Sequence, residues 1–164
     1  MQTFLPYPSF IDSAEVLDPR RLGKQRVEAL QVLRALTVVG YGWQHHPAVA
    51  MWAGYEEALS CYGITICGVW TRTGSPDTCE LGIREEWGAT SGLSVVRSQD
   101  ELAKALELPP WLGDPAFHRS HRSALLRKNP DHYRRFFAGV ANDLPYAWPV
   151  SDRPRRTGHR RSPS

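Results

Sequence analysis

Asp18-Pro19-Arg20-Arg21-Leu22-Gly23-Lys24-Gln25-Arg26-Val27-Glu28-Ala29-Leu30-Gln31-Val32-Leu33-Arg34-Ala35-Leu36 is the stretch that decides the fold. Asp18 offers a side-chain oxygen to the first free amides of a helix, and Pro19 suits the first helical position, where no amide hydrogen is needed. Leu22, Arg26, Ala29, Leu33 and Leu36 recur at steps of four and three and form one stripe of that helix. Arg21, Gln25, Glu28 and Val32 form a second stripe beside it. A purely structural helix keeps its charges on the far side. This one sets a lone carboxylate, Glu28, among cations at the edge of its apolar face, with Arg26 interrupting the face itself. Taken alone, the helix has a plainer explanation. Glu28 paired with Lys24 or Arg21 on a solvated surface would contribute only about 0.2–0.5 kcal/mol. The rest of the chain decides between the two.

Before this helix, Met1 to Phe10 is apolar and kept extended by Pro6 and Pro8, so it is expected to pack on the body. Asp12 or Ser13 can cap a short turn reaching Leu17. The main helix should end near Thr37. Trp43 to Pro47 is a loop feeding a second helix that carries Ala48, Val49, Met51, Trp52, Tyr55, Ala58, Leu59 and Tyr62, with a break at Gly63 or Gly68. Residues 75–97 are rich in turn formers and predict a loop with one helical turn. Ser98 to Glu101 is a capping box for a short helix to about Glu107. Asp114-Pro115 repeats the cap-plus-proline start and opens a basic helix. Asn129-Pro130 ends that helix and caps a last short one over 131–137. No repeat and no strand is evident. The pattern predicts an all-α, single-domain helical bundle over residues 1–150, followed by a disordered basic tail over 151–164.

Composition agrees with that architecture. The 164 residues are 41% hydrophobic and 23% charged, enough for one core in one domain. No apolar run reaches membrane-spanning length, and the first residues lack a signal peptide's order. Three cysteines make no disulfide framework, so a reduced, cytoplasmic setting is expected. The net charge of +3 is unevenly spread: residues 19–34 and 117–135 are basic, and 77–107 are mostly acidic. Basic segments accompanied by six Trp and six Tyr point to a polyanion, with double-stranded DNA first.

Most chemistries find no support. His118 and His121 lie three apart, and His45 and His46 are adjacent. Without a Cys-x-x-Cys or His-Glu-x-x-His motif they read as phosphate-facing histidines rather than metal ligands. There is no nucleophile elbow and no phosphate-cradling glycine loop, so no metal and no cofactor is expected. What remains is Glu28, the basic helices and the N-terminus.

Those residues carry a resemblance. Leu17 to Leu30 resembles the helix bearing the catalytic glutamate in the bacteriophage pyrimidine-dimer DNA glycosylase, endonuclease V. Asn129 to Gly139 resembles that family's C-terminal aromatic and basic segment. The helix around Tyr55 to Leu59 and the basic helix after Gly113-Asp114-Pro115 fall between them in the family's order. The resemblance implies an all-helical fold and excision of a damaged or modified pyrimidine, with abasic-site lyase activity as an open extension. It implies that the α-amine of the first residue is the nucleophile and that the glutamate moves protons. Here those are Met1 and Glu28. Gln2 is bulky, which disfavours removal of Met1. An α-amine is a weaker base than a lysine amine and so acts as a nucleophile without strong desolvation. Arg20, Arg21, Lys24, Gln25, Arg26, His45, His46, His118, Arg119, Arg122, Tyr133, Arg134 and Arg135 are the expected DNA contacts. A monomer near the nucleoid is expected. The rivals are a non-catalytic DNA-binding module of the same fold and a helical protein-interaction domain.

Overall fold

Helix α2 runs from Pro19 to Thr37 and starts as its sequence dictates, with the Asp18 carboxylate accepting from the Arg21 amide and Pro19 in the first turn. At Val38 the backbone returns to an extended conformation. Leu22, Ala29, Leu33 and Leu36 are buried, and so are Gln25, Glu28 and Val32 of the second stripe. The inward face of α2 is therefore wider than an apolar stripe and partly polar.

The structure, a computed structural model, describes residues 1–156. Around α2 stand α1 (Phe10–Val16), α3 (Pro47–Ala50), α4 (Glu56–Arg72), α5 (Cys79–Ser91), α6 (Gln99–Lys104), α7 (Pro115–Lys128) and α8 (Pro130–Tyr133). No strand longer than one residue occurs among the described residues, so the all-helical expectation holds. α2 packs on α4 and α5, which pack on each other; α1 and α6 rest on α4. The extended N-terminal segment threads between α2 and α7, bonded to side chains of both.

Several boundaries differ from the sequence expectation, each for a local reason. Ser9, not Asp12 or Ser13, caps α1 by accepting from the Asp12 amide. The helix expected from Pro47 to Tyr62 is interrupted earlier than foreseen. Gly54, at φ +78°, turns the chain between α3 and α4. α4 then passes unbroken through Gly63 and Gly68. Gly63 serves close packing instead: a Cβ there would lie 2.6 Å from Ile83 Cδ1 and 3.1 Å from Ala29 Cβ, so its absence lets α2, α4 and α5 close up. The expected loop at 75–97 contains the 13-residue α5. Asp77 starts it, its carboxylate accepting from the Cys79 and Glu80 amides. The buried face of α5 includes Glu86, which accepts from the Thr37 hydroxyl at 2.8 Å, and this charged residue hides the periodicity. α6 begins on the expected capping box but ends at Lys104. α7 and α8 start at Asp114-Pro115 and Asn129-Pro130 as expected, and α8 stops at Tyr133.

Ser151 to Arg156, expected within the tail, are seated on the body. The Tyr55 hydroxyl donates to Asp152 at 2.7 Å, the Arg156 amide donates to Glu56 at 3.1 Å, and Arg153 pairs with Glu107 while lying 4.5 Å over the Tyr55 ring. Residues 157–164 of the expected tail lie outside the described residues. Gly54 makes this seating fit, because a Cβ there would lie 2.3 Å from Arg153 Cβ and 2.7 Å from the Pro154 carbonyl. Gly54→Ala is therefore expected to destabilise the protein by about 1–3 kcal/mol, through left-handed strain and displacement of residues 153–154. Gly68→Ala, in a helix interior with open space at its Cβ, is expected to stabilise it by about 0.5–1 kcal/mol. Paired thermal denaturation of the two variants checks both signs.

Candidate active site

The N-terminal segment is buried from Gln2 to Pro6. Buried backbone N–H and C=O groups need partners, and among the described residues no strand lies alongside to supply them. Side chains do so. The Phe4 amide donates to Gln25 Oε1 at 2.8 Å, and the Phe4 carbonyl accepts from the Tyr62 hydroxyl at 2.9 Å. The Leu5 amide donates to His121 Nδ1 at 3.0 Å, and the Leu5 carbonyl accepts from His118 Nδ1 at 2.8 Å. The Pro6 carbonyl accepts from Arg122 Nε at 2.7 Å. The Gln2 carbonyl accepts from Gln25 Nε2 at 2.9 Å.

These bonds require both histidines to be neutral. His118 donates through Nδ1 and accepts the Gly113 amide on Nε2, whereas His121 accepts on Nδ1. Burial pushes His121 down to about 3, with the neighbouring His118 adding to the effect. Burial also lowers His118, opposed by its bond to the Leu5 carbonyl.

The outcome is a fixed first residue. The Met1 amine lies 4.0 Å from Glu28 Oε1, and the Glu28 side chain is only 9% exposed. A buried carboxylate needs compensation. Gln25 Nε2 donates to Glu28 Oε2 at 2.7 Å, and Lys24 Nζ stands 3.3 Å from Oε1. Lys24 is largely exposed, so its pairing contributes less than the buried amide does.

A cavity of about 420 Å³ opens over this pair. Gln2, Phe4, Gln25 and Glu28 are its buried residues, and Arg20, Arg21, Lys24 and Lys128 bring positive charge to it. His46, Tyr146 and Trp148 add aromatic surface; His46 meets Trp148 edge-on at 6.0 Å, and Tyr146 lies 5.2 Å from Trp148. Burial lowers His46, helped by the charge of the N-terminal amine and opposed by Glu28. Lys128 is lowered by partial burial and then by the nearby charges of Arg21, Lys24 and Arg127, opposed by Glu28. Such a rim suits phosphate oxygens.

The expected site residues divide into two sets. Met1, Glu28, Arg20, Arg21, Lys24 and His46 meet at the cavity, and His45 is exposed beside His46. Arg119, Arg134 and Arg135 are exposed elsewhere; Arg134 borders a shallow hollow formed by residues 126–142, and Arg135 covers the Phe136 ring. The other expected DNA contacts have polar atoms engaged inside the protein. Gln25 is 1% exposed with both ends of its amide engaged. Arg26 pairs with Asp77 and covers the Trp70 ring at 4.5 Å. His118 and Arg122 hold the N-terminal segment. Tyr133 is fully buried, its hydroxyl donating to Asp18 at 2.9 Å. Of residues 118–135, only Lys128 lines the cavity. Gln2, Lys128, Tyr146 and Trp148 line the site without having been foreseen. Tyr146 and Trp148 belong to an irregular stretch whose Leu144 and Ala147 amides are held by Ser123 and Ser120 hydroxyls, and no local sequence signal announces that course. Among the described residues no cluster of metal-ligating side chains occurs.

The two histidines make stability pH-dependent in a definite direction. The folded value of His121, about 3, lies below its ordinary 6.5, so its contribution is complete above pH 6.5 and is lost as pH falls toward 3. In that window the unfolded chain binds the extra proton, which costs up to about 1.4 kcal/mol per pH unit per histidine. The lowered carboxylates Asp18, Glu57 and Asp77 add losses only below their ordinary 3.8–4.5. The thermal midpoint is thus expected to drop between pH 6.5 and 5, and His121→Gln to flatten that slope; equal slopes in both proteins would refute the assignment.

No helix among the described residues is long and apolar enough to cross a membrane. No curated protein and no solved structure matches the chain. Residues 1–81 match the family model described as pyrimidine dimer DNA glycosylase, a span that includes Met1, Gln25, Glu28 and His46. Over these 81 of its 164 residues the chain is similar to the pyrimidine dimer DNA glycosylase family.

Proposed function

We propose that this protein is a DNA-repair glycosylase that excises a damaged or modified pyrimidine from duplex DNA, with the Met1 α-amine as nucleophile and Glu28 as proton acceptor and donor. The observation that carries the proposal is the Met1–Glu28 pair, 4.0 Å apart within a cation-rimmed cavity. The unprotonated amine attacks C1′ of the damaged nucleotide. A C–N bond to the enzyme forms, and the C1′–base bond breaks with its electron pair leaving on the base. Glu28 takes the proton that the amine sheds. Glu28 passes that proton to the departing base; opening of the sugar ring then gives an imine between Met1 and C1′ as the amine sheds its second proton, which Glu28 carries to the ring oxygen. Partial positive charge on the sugar in the transition state is stabilised by the same carboxylate. Loss of a C2′ proton from the imine would expel the 3′ phosphate, which is how a strand nick would follow.

The cations are assigned by exposure. Arg20, Arg21, Lys24 and Lys128 engage phosphates and orient the backbone. Unstacking of the damaged site would bring C1′ to the amine. The partner is double-stranded DNA, engaged by a monomer near the nucleoid.

Borohydride reduction on abasic duplex DNA is the direct test, since only an imine becomes a permanent bond. The wild-type chain is expected to be trapped. Glu28→Gln is expected to retain DNA affinity but to excise at least about 100-fold more slowly, the usual contribution of a positioned proton-transfer group. Extending the chain by one glycine before Met1 should abolish trapping, because it displaces the amine. Excision by Glu28→Gln at the wild-type rate would refute the role given to Glu28, whereas a wild-type chain that binds DNA but neither excises nor traps would leave a non-catalytic DNA-binding module as the function.

Affinity should fall linearly in log–log form with salt, by about 0.9 per phosphate engaged. Lys128→Ala is expected to reduce that slope by about one, whereas Arg26→Ala, already paired with Asp77, should leave it unchanged. Fluorescence anisotropy across a salt series reads both.

A further inference from the structure

Gln2 is 5% exposed and lines the cavity. Its Oε1 accepts the Thr3 amide at 2.9 Å. That partner is a donor, so it fixes which end of the carboxamide is the oxygen. The other end, Nε2, is buried without a hydrogen-bond partner among the described residues. Beside it is the Tyr146 hydroxyl, which burial raises and which Arg127 and the Gln2 amide bring partly back down. Nearly all buried amide groups in folded proteins are satisfied, and the Tyr146 hydroxyl can take at most one of the two Nε2 hydrogens, so the remaining N–H in the cavity points to a ligand that supplies an acceptor.

We propose, on the basis of the glycosylase function above, that Gln2 contacts the departing pyrimidine and stabilises its leaving, its Nε2 donating to the C2 carbonyl oxygen. Nucleophile and donor are then adjacent residues, and so are the atoms they meet. In a pyrimidine nucleotide C1′ is bonded to N1, and N1 to the carbonyl-bearing C2. A donor held next to the attacking amine therefore falls near that oxygen. As the C1′–N1 bond breaks, its electron pair spreads over N1 and the C2 oxygen, where the Gln2 N–H stabilises it. N1 is then protonated by the proton that Glu28 received from the amine. Tyr146 and Trp148 offer the flat surface on which such a base can stack.

The test separates base departure from amine chemistry. Single-turnover excision is measured on duplex DNA holding one pyrimidine dimer, and borohydride trapping on duplex DNA holding one abasic site, which has no base to leave. Gln2→Met keeps a bulky second residue and so keeps Met1. Gln2→Glu keeps an acceptor for the Thr3 amide but replaces the donor with a second acceptor. Both are expected to slow excision on the order of 100-fold, as loss of a transition-state donor does, Gln2→Glu the more, while trapping on abasic DNA stays near the wild-type rate. Unchanged excision in Gln2→Met overturns the proposal, as does a parallel fall in trapping, which would make Gln2 only a support for the amine. A wild-type protein that neither excises nor traps overturns the glycosylase function itself, and this inference with it.

Discussion

The Gln25 carboxamide is the interaction on which the site depends. It has two N–H donors and an oxygen with two lone pairs, and all four are used. Nε2 donates to the Gln2 carbonyl and to Glu28; Oε1 accepts the Phe4 amide and shares the single Tyr62 hydroxyl hydrogen with the Phe4 carbonyl. One side chain of α2 thus ties down the first residues of the chain, fixes the carboxylate three residues further along its own helix, and joins both to α4. Each of these groups, left unmatched in the interior, would cost about 1–3 kcal/mol. A carboxylate or an arginine could not replace it, since the first only accepts and the second only donates. The position calls for a neutral group that does both.

The same constraint explains how an all-helical protein accommodates a buried extended segment. A strand is normally satisfied by a neighbouring strand. Here Gln25 and Tyr62 serve Phe4, His121 and His118 serve Leu5, and Arg122 serves Pro6. These side chains come from α2, α4 and α7, so the segment is the joint through which α7 is coupled to α2. The histidines can do this only while neutral, and their burial keeps them so. A chain terminus is ordinarily its most mobile part. Bracketing residues 2 to 6 from three helices removes that mobility and makes residue 1 usable as a positioned group.

What was legible in the sequence was local. Asp18-Pro19, Ser98 to Glu101, Asp114-Pro115 and Asn129-Pro130 each carry their cap within four residues, and each starts a helix as expected. Glu28 stood out because a carboxylate at the edge of an apolar face is unusual within its own helix. What was not legible depended on distant parts of the chain. α5 was hidden because its buried Glu86 makes sense only beside Thr37. Gly54 was passed over as a break because its tight turn is demanded by Arg153 and Pro154, about a hundred residues away. Tyr146 and Trp148 reach the cavity along a path set by Ser120 and Ser123 of α7.

The basic residues show most clearly how a single count conceals two roles. Arg20, Arg21, Lys24 and Arg26 are near neighbours in sequence, yet a helix rotates each residue by about 100° from the last. Arg26 is thereby carried away from the cavity, onto Trp70 and Asp77, where it secures the start of α5. Arg20 and Lys24 remain exposed at the cavity, and Lys128 joins them from the end of α7. Arg21 lies between the two roles, bound to Asp18 at 2.7 Å yet lining the cavity. A cation already desolvated against a carboxylate gains little from a phosphate, whereas an exposed one crowded by its own kind gains the most. The lowered Lys128 is in that second state. A polyanion arriving there would relieve the repulsion among the cations while leaving Glu28, shielded beneath them by Gln25, to act on whatever the polyanion presents to the Met1 amine.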